Sequence, residues 1–419
     1  MNSSNLPMLL IVMTFFIGNN LLAQTTDFQK ATTKARKYVQ KNANHSLVIG
    51  IVQNGKTRVL TYGKMSKENK VRPDGNTLFE IGSVTSVFTT SLMKLESQKQ
   101  LFKMEDRIQD HFRDGVEVPN YQHYYCTKVT YNNPMTVDEM EREIISCRPD
   151  PMRGEACITF CHLASHSSGL KNNPKGLYSW NPIRIAKQKK DPYQGFTKEE
   201  LYGNLKKMEL SNEPGRFFRF SNWGIAVLGN LVADIANEPY EGLLKNRILK
   251  PLRLSDTRIT LSEEQKGRLA SGHDRKGKVI DPWHFKSMAP ALGLKSSAND
   301  LLKFVQANIY TSNADLEDAF AHVQGAQVDL HERKLDRFTQ MGYGWFTSTL
   351  NESTNLPVQW ISGGTGGFRS FIGFSKDTKT GVVVLSNSAN DVDEIGFLVL
   401  EGLNNHPAKV TKAVAKRGQ

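Results

Sequence analysis

The sequence predicts an α+β protein in which strands from both ends of the chain form one antiparallel sheet, with flanking helices and a mostly helical inserted domain. Strand-like segments occur near the start of the chain, at 46–63, and again near its end, at 342–386. Between these two regions, apolar residues recur with the spacing of helices. The first two strand-like segments flank Asn54-Gly55, a pair that is typical of a tight hairpin turn.

The N-terminal segment, residues 1–23, has the layout of a secretory signal peptide. An apolar run of about ten residues is followed by the small residue Ala23, which fits a cleavage site. Because no Lys or Arg precedes this run, an uncleaved membrane anchor is the alternative interpretation. A signal peptide implies an exported protein, either periplasmic or extracellular.

Composition and charge exclude several classes of protein. Hydrophobic residues make up 39% of the 419 residues and charged residues 23%, which is typical of a globular chain. No uncharged apolar stretch of 18 residues follows the N-terminal run, which excludes a polytopic membrane protein. The net charge of +12 favours an anionic envelope surface as a partner. Because no basic run interleaves with aromatic residues, we expect no nucleic-acid binding.

The order of the predicted elements divides the chain into two domains. The sheet domain is expected at 24–82 and 288–405, and the helical domain at 83–287, with a polar, irregular, Cys-bearing excursion at 113–157. A basic tail follows at 406–419. Ser297 and Asp300 resemble a capping box at one helix start. The predicted helices are Val84–Glu96, Ile158–His166, Lys198–Met208, Ser221–Ala236, Ala298–Ala307 and Asp391–Leu403.

Four cysteines lie close together in the sequence. In an exported protein an even number indicates disulfides, and three pairings of Cys126, Cys147, Cys157 and Cys161 are possible. An alternative is a zinc site, because Cys157 and Cys161 are followed by His162 and His166 at spacings that metal ligands use.

Five segments, taken in order, resemble the serine β-lactamase and penicillin-binding-protein superfamily, and in particular its class C-like, DD-peptidase and esterase branch. They extend over most of the chain and match the nucleophile box, a structural His-containing segment and three further family motifs. The resemblance gives His162 and His166 a structural role beside the site, and implies no metal and no cofactor. The matching segments are 79–85 (FEIGSVT), 158–170, 213–224, 250–257 and 360–368 (WISGGTGGF).

The resemblance places the nucleophile at Ser83 but leaves its usual partners incomplete. The family has a Lys three residues after the serine, where this chain has Ser86. A family Tyr is replaced by Phe220, and a Lys or His in the last box is replaced by Ile361. Each of these three boxes has therefore lost the side chain that moves a proton.

Other parts of the family site are retained. The family holds the oxyanion with backbone N–H groups, which correspond here to those of Ser83 and Gly364. Backbone donors do not depend on the side chain, so this element is expected to persist. The matching substrate-binding positions are Asn222, Ser362, Gly363 and Thr365.

Two functions follow from this pattern. The first is a catalytically impaired or non-hydrolytic protein that binds a small molecule or a cell-wall peptide. The alternative is an active serine hydrolase, a β-lactamase, D-peptidase or esterase that uses an unusual general base. Glu80, Lys295 and His284 are the candidates for that base, because they are titratable and lie near family-like segments. The sequence does not choose a substrate or an oligomeric state.

Overall fold

The computed structural model describes residues 26–41, 44–66, 70–113, 115–131, 142–175, 177, 191–329, 340–350 and 356–404. The predicted signal peptide (1–23) and the predicted basic tail (406–419) lie outside these residues, and both stay predictions. Within the described part of the chain, each helix is too short or too polar to span a bilayer.

Among the residues that the structure describes, strands from both ends of the chain form one antiparallel sheet of eight strands, which confirms the predicted α+β class. The sheet order is β11-β12-β13-β14-β15-β16-β1-β2, so the N-terminal hairpin extends a C-terminal meander. In the same described segments, four further strand pairs (β3–β10, β4–β7, β5–β6 and β8–β9) lie outside this sheet. The strands are β1 (Ser46–Gln53), β2 (Lys56–Gly63), β3 (Leu78–Glu80), β4 (Tyr121–Gln122), β5 (Tyr124–Tyr131), β6 (Arg142–Pro149), β7 (Glu155–Ala156), β8 (Gly272–His273), β9 (Val279–Ile280), β10 (Lys295–Ser297), β11 (Val328–Asp329), β12 (Gln340–Met341), β13 (Phe346–Thr349), β14 (Pro357–Gly364), β15 (Arg369–Ser375) and β16 (Thr380–Ser386).

Helices cover both faces of this sheet. The α-helices are α1 (Thr26–Gln40), α2 (Thr85–Gln98), α3 (Phe160–Ala164), α4 (Lys198–Gly203), α5 (Asn222–Ile235), α6 (Tyr240–Leu244), α7 (Glu263–Arg268), α8 (Ala289–Leu292), α9 (Ala298–Ile309), α10 (Ala314–Gln324) and α11 (Asp393–Asn404). Within the described ranges, three 3₁₀ turns (Gly82–Val84, Ile108–His111, Lys286–Met288) and a π-helical turn (Lys245–Leu249) accompany them.

Alternation along β1 shows how the sheet separates two cores. Leu47, Ile49 and Ile51 pack with α1 and α11 on one face. Val48 and Val52 point to the opposite face, where they join the larger core of the helical body. Because successive side chains of a strand point to opposite faces, a strand that is apolar at every position is buried on both sides.

Helix α2 runs through the middle of the larger core. Every residue from Thr85 to Met93 is buried, although several of them are Ser or Thr. Some of their hydroxyls bond within the helix, as Ser91 Oγ does to the Val87 carbonyl at 2.6 Å, and others bond to neighbouring elements, as Thr90 Oγ1 does to the Tyr343 carbonyl at 2.8 Å. A central helix of this kind fixes the position of whatever residue lies at its N-terminus.

Three details differ from the sequence prediction. The excursion at 113–157 is not wholly irregular, because β5 and β6 form a hairpin joined by a disulfide between Cys126 and Cys147. Cys157 and Cys161 are free. The helix predicted at Ile158–His166 is shorter, because Thr159 caps its start and His166 leaves helical geometry with φ of +54°.

Only one of the two hydrogen bonds of the predicted capping box forms at the start of α9. The Ser297 hydroxyl accepts the Asp300 N–H at 3.2 Å. The Asp300 carboxylate accepts instead from the Asp256 N–H and the Thr257 hydroxyl, so the reciprocal bond is missing. The division of the chain into domains at 82/83 and 287/288 stays a prediction.

Candidate active site

Ser83 lies in the 3₁₀ turn between β3 and α2. Its side chain is half-buried, and no hydrogen bond to its hydroxyl is formed within the described part of the chain. The preceding residue, Gly82, has φ of +52°. A Cβ added to Gly82 would lie 2.6 Å from the Gly364 nitrogen, so the turn packs against the end of β14 with room only for glycine.

A second glycine brings the same two elements together. A Cβ on Gly363 would lie 2.0 Å from the Ile81 carbonyl oxygen and 3.0 Å from the Ser83 nitrogen. The Ile81 carbonyl also accepts a 2.7 Å hydrogen bond from the Ser370 hydroxyl on β15. The residues predicted to supply the two oxyanion N–H groups, Ser83 and Gly364, are therefore neighbours.

The end of β14 beside Ser83 has an open edge. β13 pairs only with Pro357–Trp360, whereas β15 pairs with β14 as far as Gly364. Among the described residues, no strand pairs with Ile361–Gly364 on the β13 side. Unpaired backbone groups at a strand edge can bind an extended ligand.

Ser86, which the resemblance places where the family has Lys, bonds to the backbone of its own helix turn. The Ser86 hydroxyl donates a 2.8 Å hydrogen bond to the Ser83 carbonyl oxygen, and Ser86 is buried. A serine that bonds its own helix in this way is a satisfied backbone partner. Its hydroxyl does not accept a proton at neutral pH.

Phe220 stacks on a buried histidine. Its ring centroid lies 4.4 Å from that of His166, which is fully buried. His166 Nδ1 accepts a 3.1 Å bond from the Ser221 N–H, and burial lowers the pKa of His166 to about 3. This imidazole is therefore neutral at physiological pH and acts as a packing surface, which agrees with the structural role predicted for it.

Ile361 is part of the larger core. Its side chain is 1% exposed and points to the helical body, on the same strand face as Gly363. Ser362, half-buried, lies on the other face by alternation. The Ile361 side chain is aliphatic, so it has no proton to exchange.

The three candidate bases proposed from the sequence each have a hydrogen-bond partner other than Ser83. Glu80 Oε1 accepts the Trp283 N–H at 3.0 Å, and burial raises the pKa of Glu80. Lys295 Nζ donates to the Ile259 carbonyl at 3.2 Å, and burial lowers its pKa. His284 is paired with a carboxylate outside the predicted set, described below.

A family model described as Beta-lactamase matches residues 31–398. The chain belongs to the beta-lactamase family. A beta-lactamase of Pseudomonas fluorescens is 23% identical over 371 residues, which are 81% of this chain and 88% of the relative. The D-alanyl-D-alanine-carboxypeptidase/endopeptidase AmpH of Escherichia coli K12 is 23% identical over 377 residues, 85% of each chain.

Solved structures show the same fold. A beta-lactamase/D-alanine carboxypeptidase from Yersinia pestis, crystallised with citrate, superimposes with a TM-score of 0.69 at 20% identity and covers 89% of this chain and 98% of its own. A class C beta-lactamase from Rhodobacter sphaeroides gives a TM-score of 0.68 at 19% identity, with coverages of 90% and 99%.

Two of the substrate-binding side chains predicted for this member of the beta-lactamase family already contact other protein groups. Asn222 Nδ2 donates to Asn172 Oδ1 at 3.0 Å, which leaves the second N–H and the side-chain carbonyl oxygen of Asn222 as its available groups. The Thr365 hydroxyl is buried close to the Glu80 carboxylate, where it favours the ionised carboxylate without forming a well-directed hydrogen bond.

The alternative zinc site is not assembled. His162 Nδ1 accepts the Thr159 N–H at 3.2 Å, and Cys161 Sγ accepts from the Tyr343 hydroxyl at 3.1 Å. Within the described residues, no three His, Cys, Asp or Glu side chains converge as a metal site requires. These groups have structural partners in place of a metal.

The pairing of His284 with Asp191 beside the site was not predicted from the sequence. His284 Nδ1 lies 2.9 Å from Oδ2 of Asp191, which is 93 residues away in the sequence. Trp283, the residue before His284, packs against the glycine-rich loop, since a Cβ on Gly366 would lie 2.6 Å from the indole. No short-range sequence signal connects residues so far apart.

Proposed function

We propose that this member of the beta-lactamase family binds a small acyl compound or a cell-wall peptide at Ser83 without turning it over efficiently. One observation carries the proposal. Within the described residues the Ser83 hydroxyl forms no hydrogen bond with a titratable side chain, and the turn that holds Ser83 lies against the backbone of Gly363 and Gly364.

The chemistry explains why binding and turnover separate. Attack by the Ser83 oxygen on a carbonyl carbon needs an acceptor for the hydroxyl proton and donors for the oxyanion. The backbone N–H groups of Ser83 and Gly364 support the second requirement. Ser86, Phe220 and Ile361 do not support the first, and loss of general acid–base catalysis alone slows a reaction by about 10²–10⁴.

The names of the relatives supply the ligand class for this proposal. β-Lactams and peptides ending in D-alanyl-D-alanine are the compounds that those names specify. The open edge of β14 supports an extended ligand that lies along the strand beside Ser83. An exported location, periplasmic or extracellular, is proposed from residues 1–23 and fits a ligand of the cell envelope.

The test measures acylation and turnover separately. Wild type and Ser83→Ala are incubated with penicillin and with a fluorophosphonate probe, and intact mass is recorded while hydrolysis is followed with a chromogenic cephalosporin. We expect slow adduct formation that needs Ser83, with hydrolysis at the level of Ser83→Ala. Multiple turnovers by wild type that Ser83→Ala abolishes would establish the alternative, an active hydrolase with an unusual base.

A further inference from the structure

We propose that His284 and Asp191 form a carboxylate-recognition group at the rim of the Ser83 site, in which Nε2–H of the His284 imidazolium binds a carboxylate of the ligand. This inference rests on the proposed function, because it names a chemical feature of the compound that the Ser83 site binds. It assigns a role in binding and none in proton transfer.

Asp191 fixes the imidazole from one side. Its Oδ2 accepts both the His284 backbone N–H at 2.7 Å and the side-chain Nδ1–H at 2.9 Å. Its Oδ1 accepts the Tyr193 N–H at 3.2 Å. Asp191 is only 7% exposed, so this carboxylate is a preorganised support for the ring.

The imidazole itself is open to solvent. The His284 side chain is 70% exposed, and Nε2 has no partner among the described residues. A core ion pair would be buried on both sides, whereas this pair is buried only on the carboxylate side. With Nδ1 bound to Asp191, the second ring nitrogen is presented outward as a donor when the ring is charged.

Trp283 anchors the pair to the wall of the site. Its backbone N–H binds Glu80, three residues before Ser83, and its indole packs on Gly366, two residues after Gly364. Because consecutive Cα atoms are about 3.8 Å apart, the His284 backbone lies next to this contact. The pair is therefore attached to both elements that position the oxyanion donors.

Both carboxylates near the ring, Asp191 and Glu80, interact with a neighbouring cation. Asp191 is already paired with His284, and Lys295 lies close enough to Glu80 and Asp191 to interact with both carboxylates. The family has a Lys or His at the position of Ile361. In this chain that position therefore has no cationic side chain that could bind a carboxylate of the ligand. An imidazolium at the rim supplies that charge from a different element.

The test compares one ligand in two charge states. An N-acylated D-alanyl-D-alanine peptide and its C-terminal amide are titrated into the whole protein by calorimetry at pH 5.5. We expect the acid to bind about 10- to 100-fold more tightly than the amide, as one charge-assisted hydrogen bond allows. His284→Ala should abolish this preference, and His284→Lys should restore part of it.

Two further variants control the result. His322→Ala removes another exposed histidine, on α10, and should leave the preference unchanged. Asp191→Asn should weaken the preference, with circular dichroism showing whether the fold is kept. An unchanged preference in His284→Ala, or equal binding of both peptides by wild type, would overturn this inference alone. If wild type binds neither peptide and forms no Ser83 adduct, the proposed function falls with it.

Discussion

Replacing Gly82 by alanine tests whether the serine turn packs directly on the glycine-rich strand. At φ of +52° an L-residue costs about 1–2 kcal/mol of backbone energy. The new Cβ would also lie 2.6 Å from the nitrogen and 2.8 Å from the oxygen of Gly364, and both are backbone atoms that a rotamer change cannot move. Overpacking of this kind adds about 1–3 kcal/mol. The total expected loss in free energy of unfolding is therefore about 2–5 kcal/mol.

Gly55→Ala is the matched control. Gly55 also has a positive φ, +77°, but a Cβ there would meet no atom within 4 Å. Urea unfolding of the two variants should give a loss about 1–3 kcal/mol larger for Gly82→Ala. Gly82→Ala should also slow the formation of any Ser83 adduct, because Gly364 must move. Equal losses for the two variants would refute the packing argument.

Three further predictions concern the surroundings of the site. Because the pKa of His166 is about 3 in the folded protein, against the ordinary imidazole value of 6.5, the unfolded chain binds more protons between these two values. Stability should fall as pH decreases from 6.5 towards 3, and His166→Gln should flatten that slope in urea titrations; equal slopes would contradict it. Ile361→Ala should lower the free energy of unfolding by about 2–5 kcal/mol, because the side chain is buried in the core. Val71→Ala, at a site that is 66% exposed, is the control and should lower it by less than about 0.5 kcal/mol. Replacing Cys126 and Cys147 by serine should cost at most about 3 kcal/mol in thermal unfolding and leave peptide binding unchanged; loss of binding would show that the hairpin shapes the site.

Much of the fold could be predicted because its signals are local. The hairpin around Asn54-Gly55 has the bounds that the sequence indicates, since turn chemistry and period-2 alternation act over a few residues. Helix ends were less predictable. The helix predicted at Lys198–Met208 ends at Gly203, and the π-helical turn at Lys245–Leu249 has no comparable sequence signal.

The candidate site was predictable only where a motif is continuous. Ser83, Gly363 and Gly364 belong to two motifs, and the close approach of these motifs depends on glycines that the sequence displays. The pairing of His284 with Asp191 depends on tertiary contacts between distant segments. The partners of Glu80 and Lys295 were hidden from the sequence for the same reason.

Introducing the proton-transfer groups that the family resemblance places at three positions tests the central claim most directly. Ser86→Lys, Phe220→Tyr and Ile361→His are made singly and together, and hydrolysis of a chromogenic cephalosporin is measured beside the melting temperature of each variant. If the fold is intact and only proton acceptors are lacking, wild type should not hydrolyse the compound and the triple variant should. Adding Ser83→Ala to the triple variant should abolish that hydrolysis. The claim would be contradicted if wild type already hydrolysed the compound through Ser83 and the folded triple variant hydrolysed it no faster.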